Sequence, residues 1–535
     1  MKKNQLLVAL GMLWYLASFA QKPDALIDVL HYSFSISLFD SSDQVNGRAT
    51  IRFAVIKETN TLSLNLIKIA ADKKGMTVLG VLENNQPISF IHDKDILKIT
   101  FSGKLPPGTE KEIEVVYQGI PRDGLLISNN KYNHRVFFAD HWPDRARNWL
   151  PCVDHPSDKA TVDFLITAPD HFQIVANGVQ IEETSLGNGK KLTHYRETVP
   201  LPTKVMVIGV ADFAVQLADV VQCIPVYSWV YPEEKDKGFF DYAQAATILP
   251  FYINNIGPYG YKKLANVQSK TRFGGLENAS AIFYYENSVT GTRQTESLFA
   301  HEIAHQWFGN MTTEKEWAHV WLSEGFATYM TVLYMGYQHG EDTASKMLIE
   351  DRAQTIAFSK KKMRPVVDSS VTDYMELLNV NSYQKGGWVL HMLHAQLGDS
   401  IFWKGIRSYY AKYAGKNAST EDLQKTFEEV CGLNLSSFFK QWLYTAGQPN
   451  LEASYSYDPA KKKLSISILQ LQESLFQFPL ELKIIGGAED GMITKSIAVK
   501  EKLTTFQIPM IEKPSKIILD PTIKLLFEGS LKELK

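Results

Sequence analysis

Apolar and polar residues alternate along one segment after another in the first third of the chain. Tyr32, Phe34, Ile36 and Leu38 fall on one face of an extended segment, as do Ala49, Ile51, Phe53 and Val55, and then Leu62, Leu64 and Leu66. Side chains in a strand point alternately to its two faces, so this period of two marks half-buried strands. Leu97, Ile99, Phe101 and Ile113, Val115, Tyr117 repeat it on either side of the turn-forming Leu105-Pro106-Pro107-Gly108. Residues 21–216 therefore read as an antiparallel β domain.

The period changes near Pro232. Glu233-Glu234-Lys235-Asp236-Lys237 opens onto segments with helical spacing, among them Phe240 to Ile253 and Thr295 to Phe308, and a mainly helical domain is expected over 217–447. After Trp442-Leu443-Tyr444-Thr445-Ala446-Gly447-Gln448-Pro449 the alternation returns at Leu464, Ile466, Ile468 and Leu480, Leu482, Ile484, with Asp490-Gly491 as a turn. Residues 448–535 read as a small C-terminal β domain, sandwich-like. The expected fold class is α+β multidomain, and 535 residues suit three domains of ordinary size.

Composition changes this picture little. The chain is 45% hydrophobic and 21% charged, which suits globular domains rather than disorder. Its formal net charge of -2 offers no basic excess for phosphates, so nucleic acid is not an expected partner. Cys152, Cys223 and Cys431 match no metal-binding spacing and read as structural thiols, with one disulfide left open. The N-terminus adds more. Lys2 and Lys3 precede an apolar run from Leu6 to Phe19, and Ser18-Phe19-Ala20 puts small residues where a signal peptidase reads. Residues 1–20 are thus expected to be a signal peptide, cleaved before Gln21, with export to the periplasm or secretion. The run is shorter than the ~20 residues a spanning helix needs, which favours removal over a retained anchor. No later stretch is apolar enough for a membrane span.

The chemistry centres on His301-Glu302-Ile303-Ala304-His305. Residues four apart lie one above the other on a helix, so two imidazoles there can share one ion. Thr292 or Thr295 offers a cap, and Gly309-Asn310 a stop. With 13 histidines in the chain this pattern arises by chance in about one such sequence in fifty, so it needs a second signal. That signal is Glu324, with eighteen residues between it and His305, in the apolar Trp321-Leu322-Ser323-Glu324-Gly325-Phe326-Ala327. An unpaired carboxylate is costly there, and a ligand role removes the cost. Two imidazoles and one carboxylate leave a tetrahedral Zn2+ one open position, as in catalytic sites. Glu302 lies off the ligand face and suits a general base. His319 and His339 carry no ligand spacing and are expected to be structural or to support the ligands.

These motifs resemble the gluzincin aminopeptidases, the family of aminopeptidase N and leukotriene hydrolase. Gly274-Gly275-Leu276-Glu277-Asn278 is similar to that family's Gly-x-Met-Glu-Asn motif, and Glu277 lies twenty-four residues before His301, a similar spacing. The resemblance implies that Glu277 pairs with the substrate's free ammonium, while Gly274 and Gly275 let an extended peptide approach an edge strand. Tyr383-Gln384-Lys385-Gly386 looks like the family's Tyr-Glu-Lys-Gly, which would make Tyr383 the donor to the oxyanion. Asn148 to Pro156 and Phe438 to Trp442 resemble other parts of the family's pattern. The implied fold for 217–447 is thermolysin-like, and the implied activity is that of a zinc metallo-aminopeptidase with one Zn2+, acting on peptides with free N-termini.

Three departures stand out. Asp140-His141-Trp142 occupies the stretch where many members carry a pocket glutamine, and Thr331 stands seven residues after Glu324, where many have an acidic group. The sequence given stops after the small β domain, without the large helical domain of longer relatives. Two other readings stay open: another hydrolase on the same site, such as an endopeptidase or epoxide hydrolase, or a non-catalytic peptide-binding scaffold.

Overall fold

The alternating segments of the first third are strands, and their apolar faces form its core. Tyr32, Phe34, Ile36 and Leu38 are at most 2% exposed in strand Ile27–Phe39, which pairs antiparallel with Ser42–Val55. This computed structural model describes residues 26–486 and 490–534, so the expected leader at 1–20 lies outside the described residues. An eight-stranded sheet, a four-stranded sheet and a three-stranded sheet make up this part. One pairing departs from the antiparallel expectation: Ile27–Phe39 pairs parallel with Ala160–Pro169 on its other edge. A parallel neighbour requires a long crossover, and the intervening hundred-odd residues supply one.

The middle region is helical but built on a sheet that the alternation does not reveal. Its five strands run in the order Ala214–Val221, Ile224–Val230, Leu264–Ser269, Ala281–Tyr285, Gly275–Leu276. Leu264–Ser269 is buried at every residue and Ala281–Tyr285 at all but the last. Strands covered on both faces carry no period of two, which is why the sequence hides them. Four helices matter for the site: α1 (Glu296–Ala304), α2 (Trp321–His339), α3 (Glu341–Ser359) and α4 (Gly386–Leu397). Helix α1 ends a turn before Phe308 because Asn310 donates its N–H to the His305 carbonyl, and the Thr312 hydroxyl and N–H both reach Trp307 O. Thr295 occupies its N-cap position, yet its hydroxyl donates to Ser288 O instead of capping the helix.

The C-terminal part holds a four-stranded sheet and a three-stranded sheet, with Leu464, Ile466, Ile468, Leu480, Leu482 and Ile484 all 0% exposed. The predicted alternation and the observed core agree here. Cys152, Cys223 and Cys431 are free thiols. Among the described residues no helix is long and apolar enough to cross a membrane.

Two lysines tie the first part to the second. Lys159 Nζ donates to the carbonyls of Asn310 and Met311, just beyond His305, and to that of Lys416. Lys204 Nζ lies 2.5 Å from Glu314 Oε1 with both side chains at most 1% exposed. Burial pushes the Glu314 carboxyl up, and Lys204 opposes that push. Removing one partner of such a pair strands a buried charge, at a cost of ~3–5 kcal/mol, whereas replacing both with apolar residues is close to neutral. Lys204→Met should therefore lower the denaturant midpoint of tryptophan fluorescence markedly, and Lys204→Met with Glu314→Leu should restore most of it. Equal losses in the single and double variants would remove this role.

Candidate functional site

Helix α1 carries His301 and Glu302, its C-cap residue is His305, and the first turn of α2 brings Glu324 against them. The Nε2 atoms of His301 and His305 stand 3.1 Å apart, and Glu324 Oε2 lies 3.4 and 3.3 Å from them. Three donors at ~2.05 Å from one zinc ion in tetrahedral directions would be separated by ~3.3 Å, so these atoms already stand at three corners of that tetrahedron. Glu324 Oε2 is buried and has no hydrogen-bond partner among the described residues. Imidazole nitrogens with a single carboxylate suit zinc better than the hard, oxygen-seeking calcium or magnesium.

Neighbouring groups aim the ligands. His305 Nδ1 lies 3.1 Å from the Phe308 carbonyl, which only accepts, so the ring donates from Nδ1 and presents a free lone pair at Nε2. The Ser323 hydroxyl contacts the same nitrogen at 3.1 Å. Gly309 makes room for this arrangement: its φ is +112°, and a Cβ there would fall 2.2 Å from Ser323 Oγ and 3.2 Å from His305 Nδ1. His319 bonds to Thr420 and His339 to Glu296, so neither joins the cluster. Thr331 returns its hydroxyl to the Ala327 carbonyl of its own helix.

The charges of the cluster suit a cation. Burial pushes Glu324 upward, but His305 and His301 outweigh it and hold its carboxyl far below the usual range. Burial lowers His305, and the negative charge of Glu324 reverses that, raising it to about 9. His301 is lowered, chiefly by burial. A cation among the two imidazoles and the carboxylate reconciles these charges. Glu302 stands beside the donors, 5% exposed, and burial pushes its carboxyl well above the usual range against the opposing pull of His305.

The remaining predicted residues meet in the same cleft, of about 480 Å³. Gly275–Leu276 forms the edge strand, paired with Tyr284 and Phe283. A Cβ on Gly275 would fall 2.3 Å from Glu302 Oε1, so a side chain there would displace the Glu302 carboxylate, whereas one on Gly274 would meet only Leu298 at 3.8 Å. Glu277 follows, 5% exposed, with Oε1 buried and lacking a hydrogen-bond partner among the described residues. Tyr383 lies on the π-helical turn Asn381–Lys385 that leads into α4, and its ring stacks on His301 with centroids 5.9 Å apart. Burial, then the charges of Glu324, Glu277 and Glu302, raise its hydroxyl well above the ordinary tyrosine value, so it remains a donor.

Sequence reasoning missed three contributors. Gln306 Nε2 and Asn310 Nδ2 donate to the Glu277 carbonyl at 2.9 and 2.6 Å, clipping the Glu277 loop to the end of the histidine helix. Their positions, one and five residues after His305, signal proximity, though not this role. In the divergent Asp140-His141-Trp142 stretch, Trp142 lines the cleft and packs edge-on against Trp317, while Asp140 pairs with Arg145 and His141 turns to the Thr203 carbonyl.

Gly309→Ala should displace the His305 ring and weaken zinc binding ~10–100-fold, the usual cost of disturbing a ligand's support. Competition with a chromophoric chelator measures this, and wild-type affinity in the variant would contradict it.

Residues 29–205 match the Peptidase M1 N-terminal domain and residues 240–442 the Peptidase family M1 domain. The chain is 25% identical over 463 residues to a leucyl aminopeptidase of Saccharolobus solfataricus, covering 80% of this chain and 56% of that protein. It is 29% identical over 431 residues to aminopeptidase M1-C of Oryza sativa subsp. japonica, covering 75% and 48%. It is 27% identical over 450 residues to aminopeptidase 2 of Candida albicans, covering 78% and 47%. The chain thus spans about half the length of the curated relatives it matches. Matched by both domains of one family, it belongs to peptidase family M1.

Proposed function

We propose that the protein is a zinc-dependent aminopeptidase that removes residues from the free N-termini of peptides. The observation that carries this reading is Glu277: a buried carboxylate oxygen without a hydrogen-bond partner among the described residues, in the same cleft as the His301, His305 and Glu324 donors. A fixed anion there pairs with a substrate ammonium and sets the scissile carbonyl one residue away. An endopeptidase has no use for it. The names of the relatives, all aminopeptidases, support the same activity.

His301, His305 and Glu324 would hold the ion. Zinc, when bound, supplies a Lewis acid that polarises a carbonyl and lowers the pKa of water to ~7. The protein's own groups do the rest. Glu277 binds the ammonium. Gly275–Leu276 is the last strand of its sheet, so its outer edge is open to the substrate backbone. Glu302, held beside the donors in the space Gly275 leaves, takes a proton from the attacking water and returns it to the leaving amine. Tyr383, kept protonated, donates its O–H to the developing oxyanion, a contact of the kind worth ~3 kcal/mol.

The test is hydrolysis of aminoacyl fluorogenic amides and their N-acetylated counterparts, with and without a zinc chelator. Cleavage confined to free amines, abolished by chelation and lost in a metal-replete Glu302→Gln variant is the expected result. Cleavage of the acetylated set would remove Glu277 from its role and indicate an endopeptidase, and silence on both sets would return weight to an epoxide hydrolase or a scaffold.

A further inference from the structure

Contacts along α1 give the cleft a direction. Gln306 and Asn310 hold the Glu277 carbonyl at the C-terminal end of this helix, Gly275 stands against Glu302 in its middle, and Gly274 faces Leu298 near its start. The edge strand therefore runs antiparallel to α1. A peptide lying along that edge, with its ammonium at Glu277 and its scissile carbonyl at the His301, His305 and Glu324 donors, carries its next residue toward Gly274 and Leu298. Helix α2 leads to the same end. Tyr334 and His339 both bond to Glu296, the first residue of α1, so α2 is antiparallel to α1 and advances past Leu298 as it leaves Glu324. Thr328 and Thr331 follow Glu324 on one face, ~6 and ~10 Å along the axis, and line the cleft together with Leu298. At Gly340 the chain turns back into α3, where a Cβ on Gly336 would lie 3.0 Å from that of Ala344. Asp351 is seven residues on from Ala344, and Tyr329 seven back from Gly336, which sets Asp351 opposite the Thr328 turn. Met347 and Asp351 line the cleft there.

Leu298, Thr328, Thr331 and Met347 are neutral, which leaves Asp351 as the charge of this end of the cleft. The Thr355 hydroxyl donates to its backbone carbonyl, and its carboxylate makes no hydrogen bond or ion pair among the described residues. Its neighbour Arg352 turns away, to Asp520 and over the Trp388 ring. Burial, reinforced by the charge of Glu350, pushes the Asp351 carboxyl up to about 7. A partly desolvated carboxylate without a partner is costly, and the cost is recovered when a cation arrives. The substrate's ammonium is at Glu277, beyond the opposite end of α1, so a cation at Asp351 must come from a side chain past the scissile bond.

We propose that Asp351 selects peptides whose second residue, the one that becomes the new N-terminus, is lysine or arginine. The inference rests on the aminopeptidase reading and adds a preference on the far side of the bond that is cut. The long apolar stem of either side chain lies along Leu298 and Met347 while its charged head meets the carboxylate.

The test measures kcat/KM for alanine release from alanyl-lysyl-glycine amide and its arginyl and norleucyl counterparts in the wild type, Asp351→Asn and Asp351→Glu. Only the second residue differs among these peptides, and norleucine keeps the lysine stem without its charge. The wild type should prefer lysine and arginine to norleucine there at least tenfold. Asp351→Asn should erase at least tenfold of that preference, through KM, and Asp351→Glu should keep it. Lysyl and norleucyl fluorogenic amides put the same side chains on the first residue, and their ratio should not differ between wild type and Asp351→Asn. A second-residue ratio that is the same in wild type and Asp351→Asn, or a ratio that shifts at the first residue instead, overturns the inference and leaves the aminopeptidase reading intact. A wild type that hydrolyses none of these free amines refutes that reading, and the inference with it.

Discussion

Two imidazole nitrogens and a carboxylate oxygen, held 3.1 to 3.4 Å apart in the interior, are stable together only with a cation among them. The surrounding structure keeps that convergence in place. His305 is aimed by the Phe308 carbonyl and Ser323, and both contacts depend on a left-handed Gly309. Glu324 arrives on a helix whose next residue, Gly325, touches backbone: a Cβ there would fall 2.8 Å from the carbonyl carbon of Gly386. That close approach brings the start of α4, and with it the π-helical turn carrying Tyr383, onto the His301 ring. The glycines of α2 and α4 thus set the distance between the three donors and Tyr383.

Glu277, the proposed ammonium anchor, is coupled to the same elements. Gln306 and Asn310 leave the histidine helix and hold the Glu277 carbonyl, while Gly275 leaves space for Glu302. The proposed activity needs an amine-binding anion at one residue's length from the metal, and two buried side-chain amides hold the backbone of Glu277, the residue proposed for that part. Beyond them, Lys159 and Lys204 fasten this segment to the N-terminal sheets, so the β-rich first third acts as a brace for the site.

Much of this was legible in the sequence. The strands that face water on one side announced themselves by alternation, and the convergence of His301, His305 and Glu324 by helix geometry plus one carboxylate in an apolar segment. What alternation could not find were strands covered on both faces, Leu264–Ser269 and Ala281–Tyr285. The end of α1 was also misplaced, because the side-chain and backbone bonds of Asn310 and Thr312 that stop it come from beyond the apolar stretch. The roles of Gln306, Asn310 and Trp142 are tertiary contacts, and no local pattern encodes them. Gly274 shows the reverse: it belongs to the recognised motif, yet the space around it does not demand a glycine.

The central claim is that one metal ion binds at these three donors, and anomalous diffraction at the zinc absorption edge tests it most directly. Crystals of the purified protein, freed of loosely bound metal, should give a single zinc peak ~2.0–2.2 Å from Nε2 of His301, Nε2 of His305 and a carboxylate oxygen of Glu324. A zinc-replete preparation with no peak there, or with its peak on other residues, would contradict the account.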